Sequence, residues 1–295
     1  MIKQTLMFTT PVSLSLKDQQ LVITFKDNKD TVTRPIEDIG FVIIENPMIS
    51  ITVPLLNELA DNNVTVVFCD KKQMPKTMLM PLEGNTTQQE SYKYQLEASA
   101  PTKKNVWKQL VESKIRNQSI LLNKVGKNGD ILKQYYMNVK SGDTDNREGA
   151  AAREYWSRIF DKGFKREREG LPPNNLLNYG YTILRAAVSR ALIGSGLYPA
   201  FGVFHRNRYN AFPLADDVME PYRPFVDEIV YYLYCEEGAM ELDNQSKSKL
   251  LRLLFSDVKM GKVTRPLENA LSLTTASLLK YYKGEIDKLS LPMMT

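Results

Sequence analysis

The hydrophobic pattern of this chain changes period once, near residue 84, so the two sides must build different kinds of layer. Before that point, apolar residues come in short runs at 5–9, 21–25, 31–33, 40–45 and 64–69, separated by turn clusters such as Lys26-Asp27-Asn28-Lys29-Asp30. Runs of this length, rich in Val, Ile, Thr and Phe and closed off by Asn, Asp and Pro, predict strands. One helix interrupts them. Thr52 is its expected cap, Pro54 lies in its first turn, Leu55, Leu56 and Leu59 share a face, and Asp61-Asn62-Asn63 ends it. The polar, aperiodic segment 84–91 follows. From Pro101 onward the spacing is helical: Val106, Leu110 and Ser113 with Trp107, Val111 and Ile115 form one long stripe, and later stretches repeat it. The expected fold class is α+β, with a small β-rich N-terminal domain at residues 1–84 and a larger all-α domain at residues 85–295.

Charge narrows the function. Residues 91–170 carry 17 basic against 10 acidic side chains, although the whole chain has a formal net charge of only +5. A local excess of this kind predicts a face that binds a polyanion, the alternative being lysines that merely solvate helix surfaces. Cys69 ends an apolar run and Cys235 follows an aromatic one, so both are expected to be buried, reduced thiols rather than a disulfide or a zinc site. No Gly-rich phosphate loop is present, and ATP use has no support. The N-terminus has no charged leader followed by an apolar core, and no run approaches about 18 unbroken apolar residues. The expected location is cytoplasmic, with no membrane span.

Three side chains carry candidate metal chemistry. Glu148 shares a helical stripe with Ala152, Tyr155 and Ile159, where a carboxylate needs an arginine, a backbone amide or a metal beside it. The competing reading is a capping box, Asp145 as cap and Glu148 three residues on. His205, the one histidine of the chain, follows an extended segment at 197–204 that leaves a helix beginning near Asn174. It is either a packed, hydrogen-bonded ring or a ligand, and Arg206 and Arg208 beside it are candidate phosphate donors. Pro213 opens the next helix, on which Asp216, Asp217 and Glu220 crowd together. That cluster is either an exposed acidic helix start or a cation site, with Arg223 as the expected partner of Glu220 and Pro221 and Pro224 as the expected break. One imidazole and two carboxylates form a ligand set suited to magnesium or manganese rather than structural zinc.

Several motifs, in order, resemble those of a known family: Asn146-Arg147-Glu148-Gly149 through Tyr155, Leu177-Asn178-Tyr179-Gly180-Tyr181, Gly196-Leu197-Tyr198-Pro199, Gly202-Val203-Phe204-His205, and Ala215-Asp216-Asp217 through Pro224. They are similar to the CRISPR-associated adaptation integrases, the larger of the two proteins that insert new spacers into CRISPR arrays. The segments around Val66 to Asp70, Pro75, Met78 to Pro81 and Lys114 to Gln118 resemble the branch found in type II systems. The likeness covers about residues 1–230. It implies a β-rich N-terminal domain for dimerisation and partner contacts, an α-helical catalytic domain and a homodimer. It also implies a metal triad of Glu148, His205 and Glu220, with Asp217 as a further acidic catalytic residue.

The function this predicts is a metal-dependent DNA integrase and endonuclease, using Mg2+ or Mn2+. It would insert short DNA as new spacers by 3′-hydroxyl attack on repeat-border phosphodiesters. Lys103, Lys104, Lys108, Lys162, Lys165, Arg166 and Arg168 are candidates for a backbone-binding face, and Arg206 and Arg208 for phosphates beside the metal. The partners implied are double-stranded DNA (incoming fragment, repeat and leader), a small ferredoxin-fold adaptation protein, and the RNA-guided effector nuclease of the same system. The alternatives are a non-catalytic DNA-binding scaffold and a metal phosphoesterase acting on other nucleic acids.

Overall fold

In the computed structural model, residues 3–27, 30–160, 163–167, 169–205 and 207–295 are described, and the chain divides into two units, Met1–Gly84 and Asn85–Thr295. The first unit is built from β1 (Gln4–Phe8), β2 (Val12–Lys17), β3 (Gln20–Phe25), β4 (Thr31–Pro35), β5 (Ile39–Ile44), β6 (Ser50–Ile51), α1 (Val53–Asp61), β7 (Thr65–Cys69) and β8 (Pro75–Leu79). One sheet has the order β1-β5-β7-β8, parallel except for β8, and the other runs β4-β3-β2-β6. All six residues of β5 are buried, as a central parallel strand covered on both faces requires. Val12, Leu14, Leu21 and Ile23 join Ile39, Val42 and Val66 and the Leu55 and Leu59 face of α1 in one core.

Three strands of this unit lie outside the apolar runs expected to form strands. In β2, Val-Ser-Leu-Ser-Leu-Lys alternates with a period of two and buries Val12 and Leu14, but its serines leave no apolar run. The two-residue β6 and the partly exposed β8, which begins at Pro75 on the sheet edge, also lack one.

The second unit contains α2 (Gln88–Glu97), α3 (Ala100–Lys124), α4 (Lys133–Tyr136), α5 (Arg147–Ile159), α6 (Asn174–Gly194), α7 (Pro213–Met219), α8 (Arg223–Tyr231), α9 (Asn244–Leu251) and α10 (Leu267–Tyr282). It is not all-α. An antiparallel hairpin, β9 (Asp257–Met260) and β10 (Val263–Pro266), turns through Gly261 at φ 64°. Its strands are four residues each, too short for alternation to register as a pattern.

Helix α3 starts where Ser99 accepts a hydrogen bond from the Thr102 amide and Pro101 occupies the first turn. It buries Val106, Trp107, Leu110, Val111 and Ile115, and on the same side Lys114, Asn117 and Gln118. It packs on α5, α8 and the single turn Glu220–Tyr222. Helix α6 crosses α8 so closely that a Cβ at Gly180 would stand 2.5 Å from Val226 Cγ1. Neither cysteine is in a disulfide, but Cys69 is only half-buried and Cys235 is exposed, contrary to the expected burial of both. No described helix is long and apolar enough to cross a membrane.

Candidate functional site

The first turn of α5 is organised by Asp143 and Asn146. Asn146 is the cap, at φ 50°, and its side chain accepts from the Gly149 amide at 3.1 Å. Asp143 accepts from the amides of Arg147 at 2.8 Å and Glu148 at 3.0 Å. The capping box is therefore not formed. Asp145 is drawn instead to Lys140 at 2.8 Å, and with the turn's amides served by other residues the Glu148 side chain reaches elsewhere.

It reaches Lys114. The Lys114 ammonium donates to Glu148 Oε1 at 2.6 Å and lies 2.5 Å from Glu220 Oε2, so a buried lysine on α3 joins two carboxylates from separate elements. Glu220 starts the turn between α7 and α8, where Pro221 and Pro224 break the helix as expected, and Arg223 Nε donates to its Oε1 at 2.8 Å. Burial works to raise the pKa of this carboxyl, but the Arg223 and Lys114 charges outweigh it and hold it well below the usual carboxylate range. Lys114 responds in the opposite sense to the same pair: desolvation opposes its charge, and Glu220 and Glu148 overcome that and raise its pKa.

His205 lies in the loop between α6 and α7, fixed from α7 by Asp217. One Asp217 oxygen accepts from the amides of Val203 at 2.7 Å and Phe204 at 3.1 Å; the other meets the His205 amide at 3.2 Å and His205 Nδ1 at 2.6 Å. Asp217 is fully buried, and its four contacts tie the backbone of 203–205 and the imidazole to α7. Gly202 lets the turn close, since a Cβ there would stand 2.9 Å from Asp217 Oδ2. The hydrogen bond to Asp217 raises the His205 pKa; burial opposes the rise, and the charges of Asp217, Glu220 and Asp216 add to it. Asp216 itself pairs with Arg185 at 2.8 Å.

Among the described residues, no three His, Cys, Asp or Glu side chains stand in a metal-ligating array. The donor chemistry nonetheless fits a hard divalent ion. Glu220 Oε2 is buried and faces the Lys114 ammonium at 2.5 Å, so the oxygen is already directed at a cation. The side chains of Glu148 and His205 keep 22% and 38% of their surface open. Asp217 occupies Nδ1, which leaves Nε2 for ligation, the usual carboxylate–imidazole–metal arrangement. Counting Glu148, Glu220 and Asp217 against Lys114 and Arg223 leaves one net negative charge, which a divalent ion and one phosphodiester together balance.

The candidate basic residues are dispersed. Lys103, Lys104 and Lys108 lie on the first half of α3, Lys104 exposed and Lys108 3.7 Å from Glu112. Lys165 and Arg208 are exposed, and Arg208 lies over the Tyr209 ring. Arg166 turns inward, donating to Asn174 at 2.9 Å and Asn178 at 2.7 Å. Lys162, Arg168 and Arg206 fall outside the described residues.

Residues 6–268 match the family model described as "CRISPR associated protein Cas1". The chain is 39% identical over 253 residues to "CRISPR-associated endonuclease Cas1" of Neisseria meningitidis serogroup C (strain 8013), covering 84% of this chain and 82% of that protein. Two solved structures share its fold. "Casposase bound to integration product" has a TM-score of 0.80 at 21% identity, covering 98% of this chain and 93% of that one. A CAS1 protein from Thermotoga maritima has a TM-score of 0.75 at 18% identity, covering 95% and 97%.

Proposed function

Since this chain belongs to the Cas1 family of CRISPR-associated proteins, we propose that it is a metal-dependent DNA integrase and endonuclease of CRISPR adaptation. The observation that carries this reading is the convergence of Glu148 and Glu220 on one point, with His205 near enough for the Glu220 charge to act on it. Glu148, His205 and Glu220 would hold a magnesium or manganese ion, which supplies a Lewis acid for the scissile phosphate and for the charge that builds at phosphorus.

The protein's own side chains do the positioning. Asp217 fixes the His205 ring through Nδ1, and Lys114 and Arg223 offset the cost of keeping Glu220 ionised and buried. In joining, the 3′ oxygen of an incoming fragment bonds to phosphorus as the 3′ oxygen of the repeat strand leaves. The attacking hydroxyl gives up its proton and the leaving oxygen takes one.

The substrates in this reading are double-stranded DNA, as incoming fragment and as repeat with leader, in the cytoplasm. The partners are a second copy of the chain, the small ferredoxin-fold adaptation protein and the RNA-guided effector nuclease. A non-catalytic DNA-binding scaffold is the competing reading. One observation favours it: Lys114 pairs with both carboxylates and so supplies them with a counter-charge from the protein itself.

The deciding experiment is strand transfer of a short 3′-hydroxyl duplex into a supercoiled plasmid carrying a CRISPR repeat, with manganese or magnesium, with and without the small partner. Joined product that requires metal and disappears in Glu220→Ala and His205→Ala, with duplex binding retained, is the expected result. Duplex binding by the wild type without joining, partner present, selects the scaffold.

A further inference from the structure

Trp107 and Phe204 stack face to face, with ring centroids 4.1 Å apart and planes inclined by 2°. Trp107 is 1% exposed and Phe204 is 44% exposed, so the stack has a buried member and a member that borders solvent. The position of His205 shows that its ring does not cover the outer face of Phe204. Its ring is 5.7 Å from Trp107 and 5.8 Å from Phe204, and nearly perpendicular to both. A ring covering the outer face of Phe204 would be much farther from Trp107 than from Phe204. Equal distances put His205 beside the stack instead. Among the described residues, the rings that meet Phe204 are Trp107 and His205, and its outer face carries none.

The mounting is rigid. The amides of Val203, Phe204 and His205 all donate to Asp217, so the carboxylate that orients the imidazole also fixes the backbone bearing the Phe204 ring. An exposed aromatic face that is already immobilised loses little entropy when a flat ligand covers it. A nucleotide carries its base one sugar away from its phosphate, so a phosphate at His205 brings a base within reach of Phe204. Bases inside a duplex have both faces covered by neighbours; an unpaired base at a strand end has a free one.

We propose that the outer face of Phe204 is a stacking subsite for the unpaired terminal nucleobase of the DNA strand held at His205. The inference rests on the DNA reading above. Stacking of this kind tolerates any base, because every base has a π face.

The test uses the full chain and a duplex whose single-stranded 3′ overhang ends in 2-aminopurine, without divalent ion so that the strand stays intact. Wild type is expected to quench the probe at the terminus and not when it is moved inside the duplex. Phe204→Leu should relieve most of that quenching and weaken overhang binding roughly tenfold more than blunt-duplex binding. Phe204→Trp should keep the quenching, and its added indole emission should fall with overhang DNA and not with blunt duplex. Wild-type quenching that ignores probe position overturns the subsite, as does full quenching by a Phe204→Leu protein that unfolds at the wild-type temperature. A wild type that binds neither DNA removes the DNA reading itself, and the subsite with it.

Discussion

Lys114 sets its ammonium 2.5 Å from the Glu220 carboxylate and 2.6 Å from that of Glu148, which makes it the resident counter-cation of two proposed metal ligands. Removing one member of a buried ion pair strands the other, at a cost of about 3–5 kcal/mol. Lys114→Met should fall at the low end, because Arg223 remains on Glu220 and Glu148 is partly exposed. In chelator its thermal midpoint should drop by several degrees. Manganese should then raise the midpoint more in the variant than in wild type, as the ion replaces the missing charge. An unchanged midpoint in chelator would mean that the ion pair contributes nothing to the fold.

Asp217→Asn replaces an oxygen that faces N–H donors with an amide NH2, since the two Asp217 oxygens together take four. The loop 203–205 should loosen and the imidazole lose its orienting bond. Loss of such a carboxylate behind a metal-bound histidine lowers metal affinity 10- to 100-fold as an order of magnitude. Calorimetric titration with manganese checks this. Wild-type affinity in a folded Asp217→Asn protein would exclude His205 as a ligand.

Several elements are legible because their signals are local. In β5, Ile39–Ile44 is an unbroken apolar strand, and α6 begins at Asn174 and ends at Gly194, where the helical spacing breaks. The junction at Glu220 is legible from Pro221 and Pro224 alone. The charge network behind the site is not. Lys114 lies three residues after Val111 and seven after Trp107, on the buried stripe of α3, but a lysine there reads as a surface residue until its distant acids are in place. Asp145 and Glu148 have capping-box spacing, yet the positive φ of Asn146 and the reach of Asp143 decide the turn differently, and neither depends on that spacing.

Lys103, Lys104 and Lys108 share the N-terminal half of α3, the element that also carries Trp107 and Lys114. If this segment follows a DNA backbone, every phosphate that a substituted lysine no longer neutralises should make the fall of log affinity with log salt shallower by about 0.9. Duplex binding by the triple alanine variant, measured between low and moderate salt, checks this. A slope equal to that of wild type would remove α3 from the DNA-binding face.

Asp227 is buried between the hydroxyls of Tyr155, at 2.8 Å, and Tyr181, both donating to it. Burial is the larger influence and pushes its pKa up from 3.8 to about 6, against the two phenols and the nearby Arg223 and Arg166. A carboxyl raised in the folded state binds its proton more tightly there than in the unfolded chain. Its contribution to stability is therefore complete below about pH 4 and is lost as pH rises through about 6. Glu220 has the opposite dependence, with stability present above its unfolded value and lost in acid, so wild type alone would show the two mixed. Asp227→Asn separates them, because Glu220 is common to both proteins. Between pH 4.5 and 7 the stability of the Asn variant relative to wild type should improve by about 2 kcal/mol, read from urea unfolding at the two values. A difference that does not change with pH would show that the phenol hydrogen bonds, not burial, govern this carboxyl.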